Sequence, residues 1–220
     1  MEEVCMGWST YYSGEQLSFL LLVWVAQALY VLCFIPQIFE NFKLQSERGI
    51  SDYMLIGNAN TYLVLIFDVF CNGYPYPYRL TAFLQFFGSV ALIAQSFMYD
   101  ISRQRARPML HFYALNLLGA LACIPLAISY PGIVGDICAW FLVFLFAVSF
   151  VPQIVKIYQA KSVEGFSFAY ISIFAAANII EVVLWMLYDL PLPYFICALQ
   201  NVLMYVVFCI QFMLYYKKGR

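Results

Sequence analysis

Charge is scarce in this sequence. Charged residues fill only 10% of its 220 positions, where an ordinary soluble domain carries roughly a quarter. Apolar residues supply 65%, so a fold with a polar shell in water is excluded. Histidine occurs once, and the seven cysteines form no CxxC and no Cys/His pair at metal spacing. Neither a metal site nor a cofactor is expected. Cys33, Cys123, Cys138, Cys197 and Cys209 lie inside apolar stretches and read as small core residues. No basic footprint for nucleic acid is present. The start, Met-Glu-Glu, places no basic segment ahead of the first apolar run, so no cleavable signal peptide is expected and the first span stays in the mature protein. No nucleophile stands with a base, no loop is built to cradle a phosphate, and no carboxylate pair is set for chemistry. An enzyme is not expected.

What the sequence has is apolar runs. A hydrocarbon core about 30 Å thick takes about 20 apolar residues per helix, and such runs lie near 17–43, 52–71, 79–99, 109–130, 133–157, 167–189 and 193–216. The short connections leave no room for a soluble domain. Basic residues in short loops are retained on the cytosolic side. Seven spans put ten of the eleven on one side, namely Lys43, Arg48, Arg103, Arg105, Arg107, Lys156, Lys161, Lys217, Lys218 and Arg220, and only Arg79 on the other. The expected topology is an integral membrane protein with its N-terminus outside or lumenal and its C-terminus cytosolic. His111, beside the arginines at the start of the fourth span, reads as a loop residue near lipid headgroups.

The chain also repeats itself. An offset of 116 lays Pro36-Gln37-Ile38 on Pro152-Gln153-Ile154, Gly49 on Gly165, Ser51 on Ser167, and Gln95 on Gln211 without a gap. Three spans reverse the chain's direction, so a fourth is needed to start the second repeat from the same side. The expected fold is all-α, with seven transmembrane helices arranged 3+1+3 as two parallel triple-helix bundles. The first repeat occupies 17–100, a linker loop and linker helix 101–131, and the second repeat 132–216. Parallel repeats about an axis along the membrane normal are an arrangement of transporters.

Each repeat carries Pro-Gln toward the cytosolic end of its first span. Proline removes a donor and kinks a helix, and the adjacent glutamine can bond the carbonyls so freed. Pro36, Gln37, Pro152 and Gln153 are therefore candidate hinge or gating residues. Two Pro-Gln pairs in register, each followed by a basic loop and Gly-x-Ser, resemble the PQ-loop repeat family, which includes cystinosin-like amino-acid exporters and the SWEET and SemiSWEET sugar carriers. The resemblance covers nearly the whole chain and implies transport of a small polar solute by alternating access. Within it, the second repeat is similar to SemiSWEET half-transporters, in which a Trp and an Asn sixteen residues later line the sugar site. Trp185 and Asn201 have that separation. An indole face suits a sugar ring and a carboxamide suits hydroxyls. The plainer alternatives are an interfacial anchor and an interhelical bond. Val69 and Gln85 stand at the matching positions of the first repeat, so the pocket is expected to be asymmetric.

The intramembrane Asp that the cystinosin branch uses for proton coupling falls on Phe174 and on Asn58, and neither carries a proton. Two other acids lie within spans, where an ionisable group is functional by default. Asp68 is near the end of its helix, where a solvated carboxylate is the simpler reading. Glu181 is deeper and shares a helix face with Asn178 and Trp185. Glu181 can couple a proton, bind an amine, or tie two helices together. The candidate solute-binding residues are thus Trp185, Asn201, Gln85, Asn178 and Asn58, with Glu181 and Asp68 for proton coupling. The expected partners are membrane lipid and a small polar solute, a sugar first, carried downhill. A proton-coupled amino acid is the alternative, and a non-transporting receptor or scaffold is the rival from another class.

Overall fold

The computed structural model describes residues 17–46, 49–99, 106–188 and 190–216. Arg48, Arg103, Arg105, Lys217, Lys218 and Arg220 lie outside the described residues, as does the side chain of Arg107. The described chain is all-helical, and seven of its helices are long and apolar enough to cross a membrane. The first span runs Leu17–Leu44, the second Asp52–Cys71, the third Tyr76–Tyr99, the fifth Pro131–Ala160, the sixth Phe168–Tyr188 and the seventh Leu192–Tyr215. The fourth, Ala106–Ser129, carries His111 as an exposed residue inside the helix rather than in a loop. The third begins three residues earlier than its apolar run because Pro77 fits a first turn, whose N–H groups are unpaired anyway.

The first and fifth spans are each interrupted once. The break falls at Cys33, three residues before Pro36, and at Phe150, two before Pro152. The missing proline N–H loosens the turn behind it. Both spans then end on a left-handed residue, Gln45 at φ 49° and Lys161 at φ 51°, again 116 positions apart. Local backbone geometry therefore repeats along with the sequence.

The first span packs on the third and sixth, the second on the third and fifth, and the seventh on the fifth and sixth. Six helices so close a ring in the order first, third, second, fifth, seventh, sixth. The fourth leans on the second and fifth from outside, with none of its apolar window buried. Large side chains such as Leu21, Phe39, Phe87, Leu118, Ile137 and Met213 point outward, which in water would be a prohibitive apolar surface and in a bilayer is the lipid-facing one. Lys43, Lys156 and Lys161 sit at the end of the ring that carries the Pro-Gln turns, and Arg79 at the other.

Candidate solute site

Inside the ring lies a cavity of about 60 Å³. Glu181 on the sixth span is its best-connected group. One carboxylate oxygen accepts from Gln27 Nε2 of the first span at 2.8 Å, and the other from the Tyr78 hydroxyl of the third at 3.0 Å. Thr81, one turn beyond Tyr78, donates to Gln27 Oε1 at 2.5 Å, which leaves the amide nitrogen facing Glu181. Three helices are thereby tied through one buried carboxylate. Asn178, one turn before Glu181, donates to the Phe174 carbonyl at 2.7 Å and accepts from Asn201 Nδ2 at 3.0 Å.

Asp68 lines the same cavity from the second span, and it is not solvated. Its exposure is 0%, because the fifth span covers the end of its helix. The Asn72 carboxamide lies so close to Gly135 of that span that a Cβ there would collide with it. Asn72 Nδ2 donates to Asp68 Oδ1 at 2.8 Å. Asp68 Oδ2 and Asn201 Oδ1 have no hydrogen-bond partner among the described residues, so the cavity holds two buried acceptors that want donors.

Of the residues singled out from the sequence, Asn178, Glu181, Asn201, Gln85 and Asp68 all border this cavity. Trp185 does not. Its ring stacks on Phe195 with centroids 4.1 Å apart, and its buried indole N–H has no partner among the described residues. Asn58 lies toward the Pro-Gln end, within 3.4 Å of the Tyr170 hydroxyl. Gln27, Tyr78 and Thr81 escaped sequence reading. Gln27 carried a readable signal, as a lone carboxamide within an otherwise apolar run.

An aromatic layer lies at each end of the cavity. Toward Arg79 the Tyr74, Tyr78 and Tyr194 rings pack edge to face or tilted, with centroids 5.1 to 6.0 Å apart. Toward the Pro-Gln turns, Phe34 packs against Tyr62 and Tyr170, and Phe150 against Phe174. Beyond that layer lies a crossed pair of clamps. Gln37 Nε2 donates to the Gly165 carbonyl at 2.9 Å, and Gln37 Oε1 accepts from the Ser167 N–H at 2.8 Å. Gln153 Nε2 donates to the Gly49 carbonyl at 2.8 Å, and its oxygen accepts from the Ser51 N–H at 2.6 Å. Each glutamine thus grips the Gly-x-Ser turn of the other repeat, instead of the carbonyls freed by its own proline. Gly49 and Gly165 meet backbone to backbone between the clamps, where a Cβ on Gly49 would run into the Gly165 carbonyl. Gly165 also sits at φ +77°, a conformation that costs glycine little.

The clamps are not equally supported. Gln37 Nε2 also lies 2.8 Å from Asn41 Oδ1, Asn41 Nδ2 donates to Gln95 Oε1 at 3.0 Å, and Gln95 Nε2 donates to the Ile38 carbonyl at 3.1 Å. In the second repeat Gln211 makes the matching bond to the Ile154 carbonyl at 2.8 Å. Ile157 replaces Asn41 there, and Gln211 Oε1 is left without a partner among the described residues.

A family model for the PQ loop repeat matches residues 19–78 and 134–194, which together span more than half of the chain. A comparison with curated proteins gives no match.

Proposed function

The chain belongs to the PQ-loop repeat family, and from that membership and the cavity between its repeats we propose that it carries a small polar solute across a membrane by alternating access. The observation that carries this reading is a cavity between the two repeats with Gln27, Asp68, Gln85, Asn178, Glu181 and Asn201 in its wall and a separate aromatic layer on each side. Alternating access needs such a site, because each layer must open while the other holds. The first three spans and the last three are the natural moving units, since the second–fifth and first–sixth contacts exchange under the 116-residue offset. At about 60 Å³ the cavity is well below the roughly 300 Å³ at which ligand pockets begin, so this conformation is contracted and must widen to load. A receptor would need its pocket open on one side, which makes that reading the weaker one.

The solute that best suits the cavity presents a protonated amine. Asp68 and Glu181 border it and, among the described residues, no basic side chain does, and the two acceptors without partners there call for N–H donors. A proton-coupled amine-bearing solute, an amino acid among the candidates, is the reading that chemistry favours, with Glu181 as the proton carrier. A sugar is the second reading. The carboxamides of Gln85, Asn178 and Asn201 suit hydroxyls, but Trp185 is occupied by Phe195 and offers no face to a ring. Uptake of radiolabelled amino acids, polyamines and sugars into liposomes, with and without a pH gradient, is the test. Accumulation of an amine-bearing solute driven by the gradient is the expected result. Uptake of sugars alone would overturn the solute assignment, and no uptake of any of them would count against a carrier of these solute classes.

A further inference from the structure

Two hollows of about 470 and 570 Å³ open on the lipid-facing side of the protein between the third and fourth spans, floored by the second. They share Leu63, Phe86 and Leu117 and so form one trough. It exists because the fourth span leans on the second and fifth and leaves the flank of the third uncovered. On the fourth span it runs from Tyr113 to Ile128, about 22 Å at 1.5 Å per residue, and Pro131 at the start of the fifth closes its far end. That length is most of the hydrocarbon thickness of a bilayer. Its walls are almost wholly apolar, and of the three polar side chains at its Pro-Gln end, Asn60, Tyr113 and Asn116, the last two are bonded within the protein. The Tyr113 hydroxyl donates to the Leu55 carbonyl and Asn116 Nδ2 to the Phe112 carbonyl.

At the opposite end stands Arg79. Its guanidinium lies over the Phe70 ring, 5.6 Å from the centroid, and Phe70 packs on Phe83, both of which wall the trough. Arg79 Nε is buried and has no hydrogen-bond partner among the described residues, while the side chain as a whole is only half-buried. The second repeat serves as an internal control. Phe195 occupies the register position of Arg79 and stacks on Trp185, so packing at this place does not need a cation. The first repeat, which alone borders the trough, has one.

We propose that the trough seats one phospholipid, with an acyl chain along Phe70, Phe83, Phe86 and Leu117 and its phosphate on Arg79. A guanidinium is the side chain best shaped to hold a phosphate, and an unfilled apolar trough would forfeit contacts along its whole length. The site is on the outer flank of the ring, so it does not depend on the carrier reading.

Native mass spectrometry of the whole chain in mild detergent, titrated with phosphatidylglycerol or with a diacylglycerol of the same chains, tests this. The wild type is expected to retain one phosphatidylglycerol and to release the diacylglycerol, which lacks a phosphate. Arg79→Gln should lower phosphatidylglycerol occupancy about tenfold, the loss of a charge-assisted hydrogen bond, while Arg79→Lys retains most of it. Ala120→Phe, which fills the trough from a peripheral helix, should displace the lipid with Arg79 intact. Glycerol 1-phosphate should not compete, since it has no chain. Equal retention of diacylglycerol and phosphatidylglycerol by the wild type overturns the proposal without any substitution. Undiminished binding in a folded Ala120→Phe protein, or displacement by glycerol 1-phosphate, overturns it as well.

Discussion

Gln27 donates to Glu181 across 2.8 Å between the first and sixth spans, a bond made between helices from different repeats. Glu181 can therefore report on its protonation to the very interface that must shift for the cavity to open. A carboxamide at 181 cannot carry a proton. Glu181→Gln is expected to abolish the response of uptake to a pH gradient while downhill exchange continues, measured as counterflow in liposomes. If gradient-driven accumulation survives in that variant, the proton passes elsewhere, and Asp68→Asn is the next position to test.

Gln27→Ala removes a partner from a buried carboxylate and from Thr81 at once. Leaving such groups unsatisfied costs about 1–3 kcal/mol each. The variant is expected to melt measurably lower than the wild type, read by thermal unfolding in detergent. Equal melting temperatures for wild type and Gln27→Ala would mean that this bond carries no stability.

The crossed clamps predict a change in accessibility. Gln37→Ala or Gln153→Ala deletes two hydrogen bonds between repeats, worth roughly 0.5–1.5 kcal/mol each. The population open at the Pro-Gln end should then rise by about fivefold or more. An Ile50→Cys reporter, buried in this conformation, is expected to react correspondingly faster with a membrane-impermeant thiol reagent. Unchanged labelling in both clamp variants would sink the gating role of these glutamines.

Trp185 and Asn201 should separate cleanly. Asn201→Ala changes the cavity and is expected to weaken solute uptake about tenfold at low concentration, for a loss of about 1.4 kcal/mol. Trp185→Ala removes a ring stack outside the cavity, worth about 0.5–1.5 kcal/mol, and should lower stability with little effect on apparent affinity. A Trp185→Ala protein that melts normally but no longer takes up solute would return the indole to the site and revive the sugar reading.

Topology is tested directly by tags. Residue 1 and residue 220 are expected on opposite faces of the membrane, with the 101–108 loop on the face of residue 220. Both termini on one face would contradict the distribution of basic residues.

Sequence reading reached the helices and the repeat because both are written along the chain. Apolar runs between polar breaks fixed the second span at 52–71, the bounds of the helix itself, and a constant offset exposed the paired Pro-Gln turns. It could not reach pairings between helices, since nothing in the order of residues sets Gln27 beside Glu181 or Gln37 beside Ser167. Asp68 shows the same limit. Its distance from the helix end suggested water, but burial there depends on Gly135, 67 positions away, being small enough to admit Asn72. Trp185 was placed on a face shared with Glu181, and that face proved wide enough for the indole to turn toward Phe195.

The unequal support behind the two clamps has a mechanical consequence. Two flexible joints under a common load behave like springs in series, and most of the deformation collects in the softer one. The Gln37–Asn41–Gln95 chain stiffens the joint at Cys33, whereas Ile157 leaves the joint at Phe150 without that brace. The fifth span should therefore bend further than the first in each cycle. Paired spin labels across each joint would read this as a broader distance distribution at 150 than at 33, and Asn41→Ile should bring the two distributions closer together.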